Sequence, residues 1–164
     1  ALRQLARDLD GVSHDCWRFF ESIFLGPSHV CTVRRLAGSL GILPSTLMSR
    51  FFRARLPAPK RYLAMARLVR AAHLFENRGF SVANVANHLE YSSPQSFGRH
   101  VRSILGLTAI EFRESYDGTG MFDRFREDLV LPYLPALRAL TPLGYPIPPA
   151  SMRPRSRRPT RYAG

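Results

Sequence analysis

The sequence predicts an all-α protein in which a long central helix separates two short, similar helical units. Three observations carry that prediction. Lys60–Asn77, KRYLAMARLVRAAHLFEN, lies between Pro59 and Gly79 without an internal Gly or Pro, and it is rich in the Ala and Leu that favour helix. The segments before and after it repeat one pattern of caps, turns and apolar positions. Positive charge gathers over the same region: residues 33–113 hold 13 Lys and Arg against 3 Asp and Glu.

In the central stretch, Arg67, Arg70, His73 and Asn77 recur every three or four residues and fall on one side of a helix. Leu63, Met65, Leu68, Val69, Ala72, Leu74 and Phe75 cover most of the rest, so this helix should be buried against more than one neighbour. At about 1.5 Å per residue it would span roughly 26 Å. It reads as a rigid spacer.

Residues 2–24 place Leu2, Leu5, Leu9, Val12, Cys16, Phe19 and Ile23 at alternating steps of three and four. Gly11 and Ser13 divide this N-terminal extension (residues 1–31) into two helices, with Ser13 capping the second. Its apolar seam suits packing on the domain better than pairing with a second copy, because three heptads is short for a coiled coil. A homodimer through residues 2–24 is the lesser reading, and nothing else requires one. Trp17 reads as core, and Gly26-Pro27 ends the segment.

The first unit begins with Thr32, which can cap a helix running to Leu40, and Gly41 ends it in a tight turn. Pro44 suits the first position of the next helix. Leu36, Ala37, Leu40, Leu47 and Phe51 make the seam between the two helices. Two short helices joined by about three residues form a helix-turn-helix, whose second helix can enter a DNA major groove.

The second unit repeats the plan. Ser81 caps, Val82, Val85, Ala86 and Leu89 face inward, and Glu90-Tyr91-Ser92 forms the turn. Ser93 and Pro94 open the second helix, Phe97, Val101, Ile104 and Leu105 are its inner face, and Gly106 stops it. Thr108 and Glu111 have capping-box spacing for one more helix.

Beyond residue 114, Gly118-Thr119-Gly120 reads as a flexible joint before a C-terminal helical extension (117–140) interrupted by Pro132 and Pro135. Residues 141–164 hold six prolines and five arginines with little apolar content, and disorder is expected there.

The net charge of +12 is unevenly placed: residues 33–113 contribute +10, residues 153–164 contribute +5, and the two remaining segments are slightly negative. A basic centre of this kind suits duplex DNA. No apolar run is long enough for a membrane span, and no signal-peptide pattern is seen. Beginning at Ala1, the chain reads as a processed product or as a fragment of something longer.

Catalysis has little support. The histidines at 14, 29, 73, 88 and 100 are scattered, and no nucleophile-elbow or phosphate-loop pattern occurs. His14-x-Cys16 and His29-x-Cys31 supply two nitrogens and two sulfurs, but the spacing is not that of a zinc site, so no metal and no cofactor is expected.

The surface opposite each inner seam marks the DNA-reading residues. In the first unit these are Ser45, Met48, Ser49 and Phe52, flanked by Arg50 and Arg53. In the second they are Gln95, Gly98, Arg99 and Arg102. Gln95 matches an adenine edge and Arg99 a guanine edge. Ser45, Met48 and Ser49 offer weaker donors and a thymine-methyl contact, so the second unit should be the more selective. Arg34, Arg35, Arg50, Arg53, Arg55, Lys60, Arg61, Arg70, Arg78 and Arg102 are phosphate-contact candidates. The rival reading is a basic helical adaptor for an acidic protein partner.

The series S-V-x-x-V-A-x-x-L-x-Y-x-S-x-x-x-F-x-R-x-V-R from Ser81, followed by G-x-T-x-x-E-F-R from Gly106, resembles the signature of AraC/XylS-type bacterial transcription regulators. Leu36-Ala37, Leu40-Gly41, Leu47, Arg50, Phe51, Pro59, Tyr62-Leu63, Arg67-Leu68 and Ala71 extend the likeness over about residues 32–114, within an expected DNA-binding domain of residues 32–116. Glu90 and Leu56 stand where the family has Gly, Val101 where it has Phe, Ala109 where it has Pro and Leu43 where it has a capping Ser. The resemblance implies a double helix-turn-helix that binds double-stranded DNA in the cytoplasm, at the nucleoid, with RNA polymerase as a further partner. Family members often carry a separate ligand-sensing domain. Residues 1–31 are too short for one, so sensing is expected elsewhere, or control through amount or a partner.

Overall fold

The long helix forms close to where its composition places it. A computed structural model describes residues 2–26 and 32–140, and among these the helix runs Pro59–Phe75. It is the fifth of ten, here called α5. Before it come α1 (Leu2–Asp8), α2 (His14–Phe24), α3 (Val33–Ser39) and α4 (Pro44–Arg53). After it come α6 (Val82–His88), α7 (Pro94–Leu105), α8 (Ala109–Ser115), α9 (Gly118–Leu129) and α10 (Leu134–Ala139). No strand occurs among the described residues.

Pro59 begins α5 where its missing N–H is harmless. The helix stops two residues short of Asn77, whose side chain instead accepts from Gly79 N–H at 3.1 Å and closes a turn. Tyr62, Leu63, Met65, Ala66, Leu68, Val69, Ala71, Ala72 and Phe75 are all buried, so α5 is covered on several sides, as its apolar girth requires.

Its most extensive partner is α9. Gly118 N–H donates to the Glu76 carboxylate at 2.9 Å near one end, and Phe125 meets Tyr62 with ring centroids 6.2 Å apart near the other. The two helices therefore run antiparallel. Gly118-Thr119-Gly120 is not a joint: Asp117 caps this first turn of α9 through Gly120 N–H at 2.6 Å. Gly118 is buried because α9 approaches α5 closely there, and a Cβ on it would run into the His73 ring. After α9 the prolines act as expected: Pro132 lies in a 3-10 turn, Leu131–Tyr133, and Pro135 in the first turn of α10.

The N-terminal extension forms α1 and α2, with Ser13 Oγ accepting from Cys16 N–H. Leu5, Leu9, Cys16, Phe19 and Ile23 are buried within the same chain, and Trp17 is half-buried against them. Phe19 meets Phe51 at 4.8 Å and Tyr62 at 5.5 Å, joining the extension to the first unit and the rod. Arg126 ties α9 to α1 by an ion pair with Asp8. Cys16 is a core residue, and burial pushes its thiol up to about 12. His29 and Cys31, the second half of the zinc-like spacing, and the Pro- and Arg-rich tail lie outside the described residues.

Candidate nucleic-acid interface

Both units fold as two-helix modules by the same local devices. Thr32 Oγ1 accepts from Arg35 N–H at 3.2 Å to start α3. Gly41, at φ 71°, ends α3, and Ile42 N–H returns to Ala37 C=O at 3.0 Å. In the second unit Ser81 and Asn84 make a reciprocal capping box. Glu90, at φ 57°, takes the left-handed position, and Tyr91 N–H returns to Ala86 C=O at 2.9 Å. The turns thus share one hydrogen-bond pattern, the Schellman closure. A non-glycine residue there costs roughly 1–2 kcal/mol in backbone strain.

The second helices differ at their starts. Ser93 Oγ caps α7 through Ser96 N–H at 3.1 Å, whereas Leu43 gives α4 no side-chain cap. Both helices bury the expected seam, Leu47 and Phe51 in α4 and Phe97 and Val101 in α7; Ile104 and Leu105 are half-buried. The opposite stripes face outward. On α4, Ser45, Met48, Phe52 and Arg53 are exposed and Ser49 and Arg50 half-buried; Phe52 is 83% exposed. On α7, Gln95, Arg99 and Arg102 are exposed, and the Cα of Gly98 looks into open space.

Among the phosphate-contact candidates, Arg34, Arg35, Arg55, Lys60, Arg61 and Arg78 are exposed. Arg55 has a left-handed φ of 56° where the chain leaves α4. Arg70 is engaged elsewhere: its Nη2 donates to the carbonyls of Ile23, Phe24 and Gly26 at 3.1, 3.2 and 2.8 Å. Those carbonyls end α2 and need donors, so Arg70 anchors the N-terminal extension to the rod.

Arg67 behaves as a packed stem with a satisfied head. Its guanidinium lies over the Tyr91 ring, 3.9 Å from the centroid, and Nη2 donates to Leu89 C=O at 2.8 Å. The Tyr91 hydroxyl bonds His100 Nδ1. Burial, then the charges of Arg67 and Lys60, press His100 down to about 4, so its ring is neutral near neutral pH. Sequence spacing gave no sign of this Arg67–Tyr91–His100 chain, because its members lie on three separate elements.

Thr32 and Val33 of the first unit, Lys60, Leu63, Ala64 and Arg67 of α5, and Tyr91, Ser96 and His100 of the second unit border one cavity. Both units therefore meet along a single stripe of the rod.

A family model described as a helix-turn-helix domain, of the AraC type, matches residues 36–115. Residues 36–115 are an AraC-type DNA-binding domain. The match covers the first unit from Leu36 onward, the rod and the second unit, and it leaves α1, α2, α9 and α10 outside. Comparison with curated proteins and with solved structures finds no match. The AraC-type domain is a DNA-binding regulatory domain rather than an enzymatic one, and no described helix is long and apolar enough to cross a membrane.

Proposed function

We propose that this transcription regulator recognises a specific duplex sequence by placing α4 and α7 in two adjacent major grooves. The supporting observation is the shared stripe of α5 on which both units rest, each with an outward face opposite a buried seam. Successive grooves on one face of DNA are about 34 Å apart. A 17-residue rod of about 26 Å carrying both units on one stripe suits that interval when the DNA bends modestly. One chain then occupies a full site, in the cytoplasm at the nucleoid, without a partner copy.

Base reading is divided unequally. Gln95 and Arg99 pair with base edges, each contributing about 1–3 kcal/mol of discrimination. Ser45 and Ser49 add hydroxyl bonds, Met48 and Phe52 touch thymine methyls, and Gly98 lets the backbone approach. Arg34, Arg35, Arg50, Arg53, Arg55, Lys60, Arg61, Arg78 and Arg102 hold the phosphates. RNA polymerase is the expected partner at the promoter.

Selection of bound sites from random duplex DNA, followed by affinity against salt concentration, tests this reading. The expected result is an enriched motif with two conserved blocks and a log–log salt slope of about −5. Failure to enrich any motif, or a slope near zero, contradicts it and favours the acidic-protein adaptor.

A further inference from the structure

A cavity of about 440 Å³ opens on the side of α5 where both helical extensions meet the second unit. Leu2 and Gln4 of α1, Phe24 of α2, His88 and Leu89 of α6 and Thr119 and Phe122 of α9 contribute to its wall. Its volume falls within the usual range for ligand sites, about 300–1,000 Å³, and its lining is mostly apolar with a few convergent polar groups. The AraC-type match ends before α9 and begins after α2, so the walls are partly outside the DNA-binding domain.

The ionisable groups on this wall are all basic residues. Arg70 supplies a cation, held in place by the end of α2, and the His73 and His88 imidazoles also line the cavity. No Asp or Glu is among its described lining residues. Glu76 beside it is occupied, 3.2 Å from His73 Nδ1 and bonded to Gly118 N–H. Burial, and then Arg67, disfavour the charge on Arg70, and an anion next to that guanidinium would relieve the imbalance.

We propose that this cavity binds a small organic carboxylate with an apolar body, its carboxylate toward Arg70, and that occupancy alters DNA affinity. The ligand would touch α6, the first helix of the second unit, as well as α5 and α9. It can therefore bias how that unit rests on the rod. The effect on DNA rests on the two-groove reading, but the binding does not.

The test is calorimetric titration of the full chain, without DNA, using phenylacetate and octanoate beside phenylacetamide and octanamide. At least one carboxylate should bind saturably, and its amide should bind about tenfold or more weakly, the loss of one charge contact. Leu74→Trp, which fills the cavity away from both reading faces, should abolish binding. If that variant misfolds, ligand-dependent shifts of the Leu89 and Thr119 amide resonances in the unmodified protein provide the same answer. Saturated protein should then differ about fivefold or more in affinity for its selected DNA site. No saturable binding of either carboxylate, equal binding of the amide, or shifts confined to residues elsewhere would overturn the site. Binding with unchanged DNA affinity would overturn the coupling. A chain that binds carboxylate but no DNA would instead contradict the two-groove reading.

Discussion

The two helix-turn-helix units share one backbone plan but place their exceptions at opposite ends. Each has two left-handed positions, one in the turn and one where the second helix stops. The first unit uses Gly41 in the turn and Arg55 at the exit. The second uses Glu90 in the turn and Gly106 at the exit. In each unit a charged residue therefore occupies a conformation that favours glycine, and the charges have opposite sign. Their surroundings differ as well. Phe51 of the first unit joins Phe19 and Tyr62 in an aromatic cluster with the N-terminal extension and the rod. Phe97 of the second packs on Tyr91, Phe75 and Phe112 from its own neighbourhood. The lesson is that one local geometry can present Ser45, Met48 and Phe52 outward in one copy and Gln95 and Arg99 in the other.

The largest expected contrast lies in those faces. Arg99→Ala or Gln95→Ala should each weaken the selected site by about 1–3 kcal/mol and relax preference at one base position. Met48→Ala should cost less than either in a gel-shift titration. The reverse ranking would assign the dominant reading to the first unit.

Acid should separate the units next. His100 belongs to the second, and its folded-state value is lowered from 6.5 to about 4. The unfolded chain therefore takes up this proton first as pH falls. Stability from the neutral ring is complete above about pH 6.5 and declines toward pH 4, with a slope of up to about 1.4 kcal/mol per pH unit. Hydrogen exchange should show amides of α6 and α7 losing protection before those of α3 and α4. His100→Gln should flatten the decline.

Relief of strain gives a smaller, paired effect. Glu90→Gly and Arg55→Gly should each stabilise the fold by about 1 kcal/mol in urea titrations. They should move DNA affinity in opposite directions, Glu90→Gly tightening it by removing a negative charge and Arg55→Gly weakening it. A shared direction would place one of the two away from the phosphates. The smallest effect concerns Gly98, where a methyl meets open space. Gly98→Ala should raise stability by about 0.5–1 kcal/mol yet lower DNA affinity, because the added methyl would meet the groove. Unchanged affinity would mean that this backbone does not approach DNA.

Much of the fold was legible because its signals act within a single helical turn. Thr32, Ser81, Ser93 and Thr108 cap where their spacing places them, and Gly41 and Gly106 close helices as glycine can. The inner seams followed from 3.6-residue periodicity. Long-range relations had no such signal. Arg70 looked like a phosphate contact because its partners lie 44 to 47 residues away, at the end of α2. Gly118-Thr119-Gly120 looked flexible because glycine at a joint and glycine at a close helix approach are identical in sequence; the Glu76 and His73 contacts decide between them. The candidate site was legible as faces, since helical spacing alone separates Gln95 and Arg99 from Phe97 and Val101. The Arg67–Tyr91–His100 chain was not, because pairing across elements leaves no local pattern.

The measurement that bears most directly on the account is a hydroxyl-radical and methylation-interference footprint on the selected duplex, with the protein-to-DNA ratio determined in the same complex. Two-groove recognition by one chain requires contacts in two major grooves about 10 base pairs apart with a single chain bound. Contacts in a single groove, or two chains needed to fill both, would contradict it.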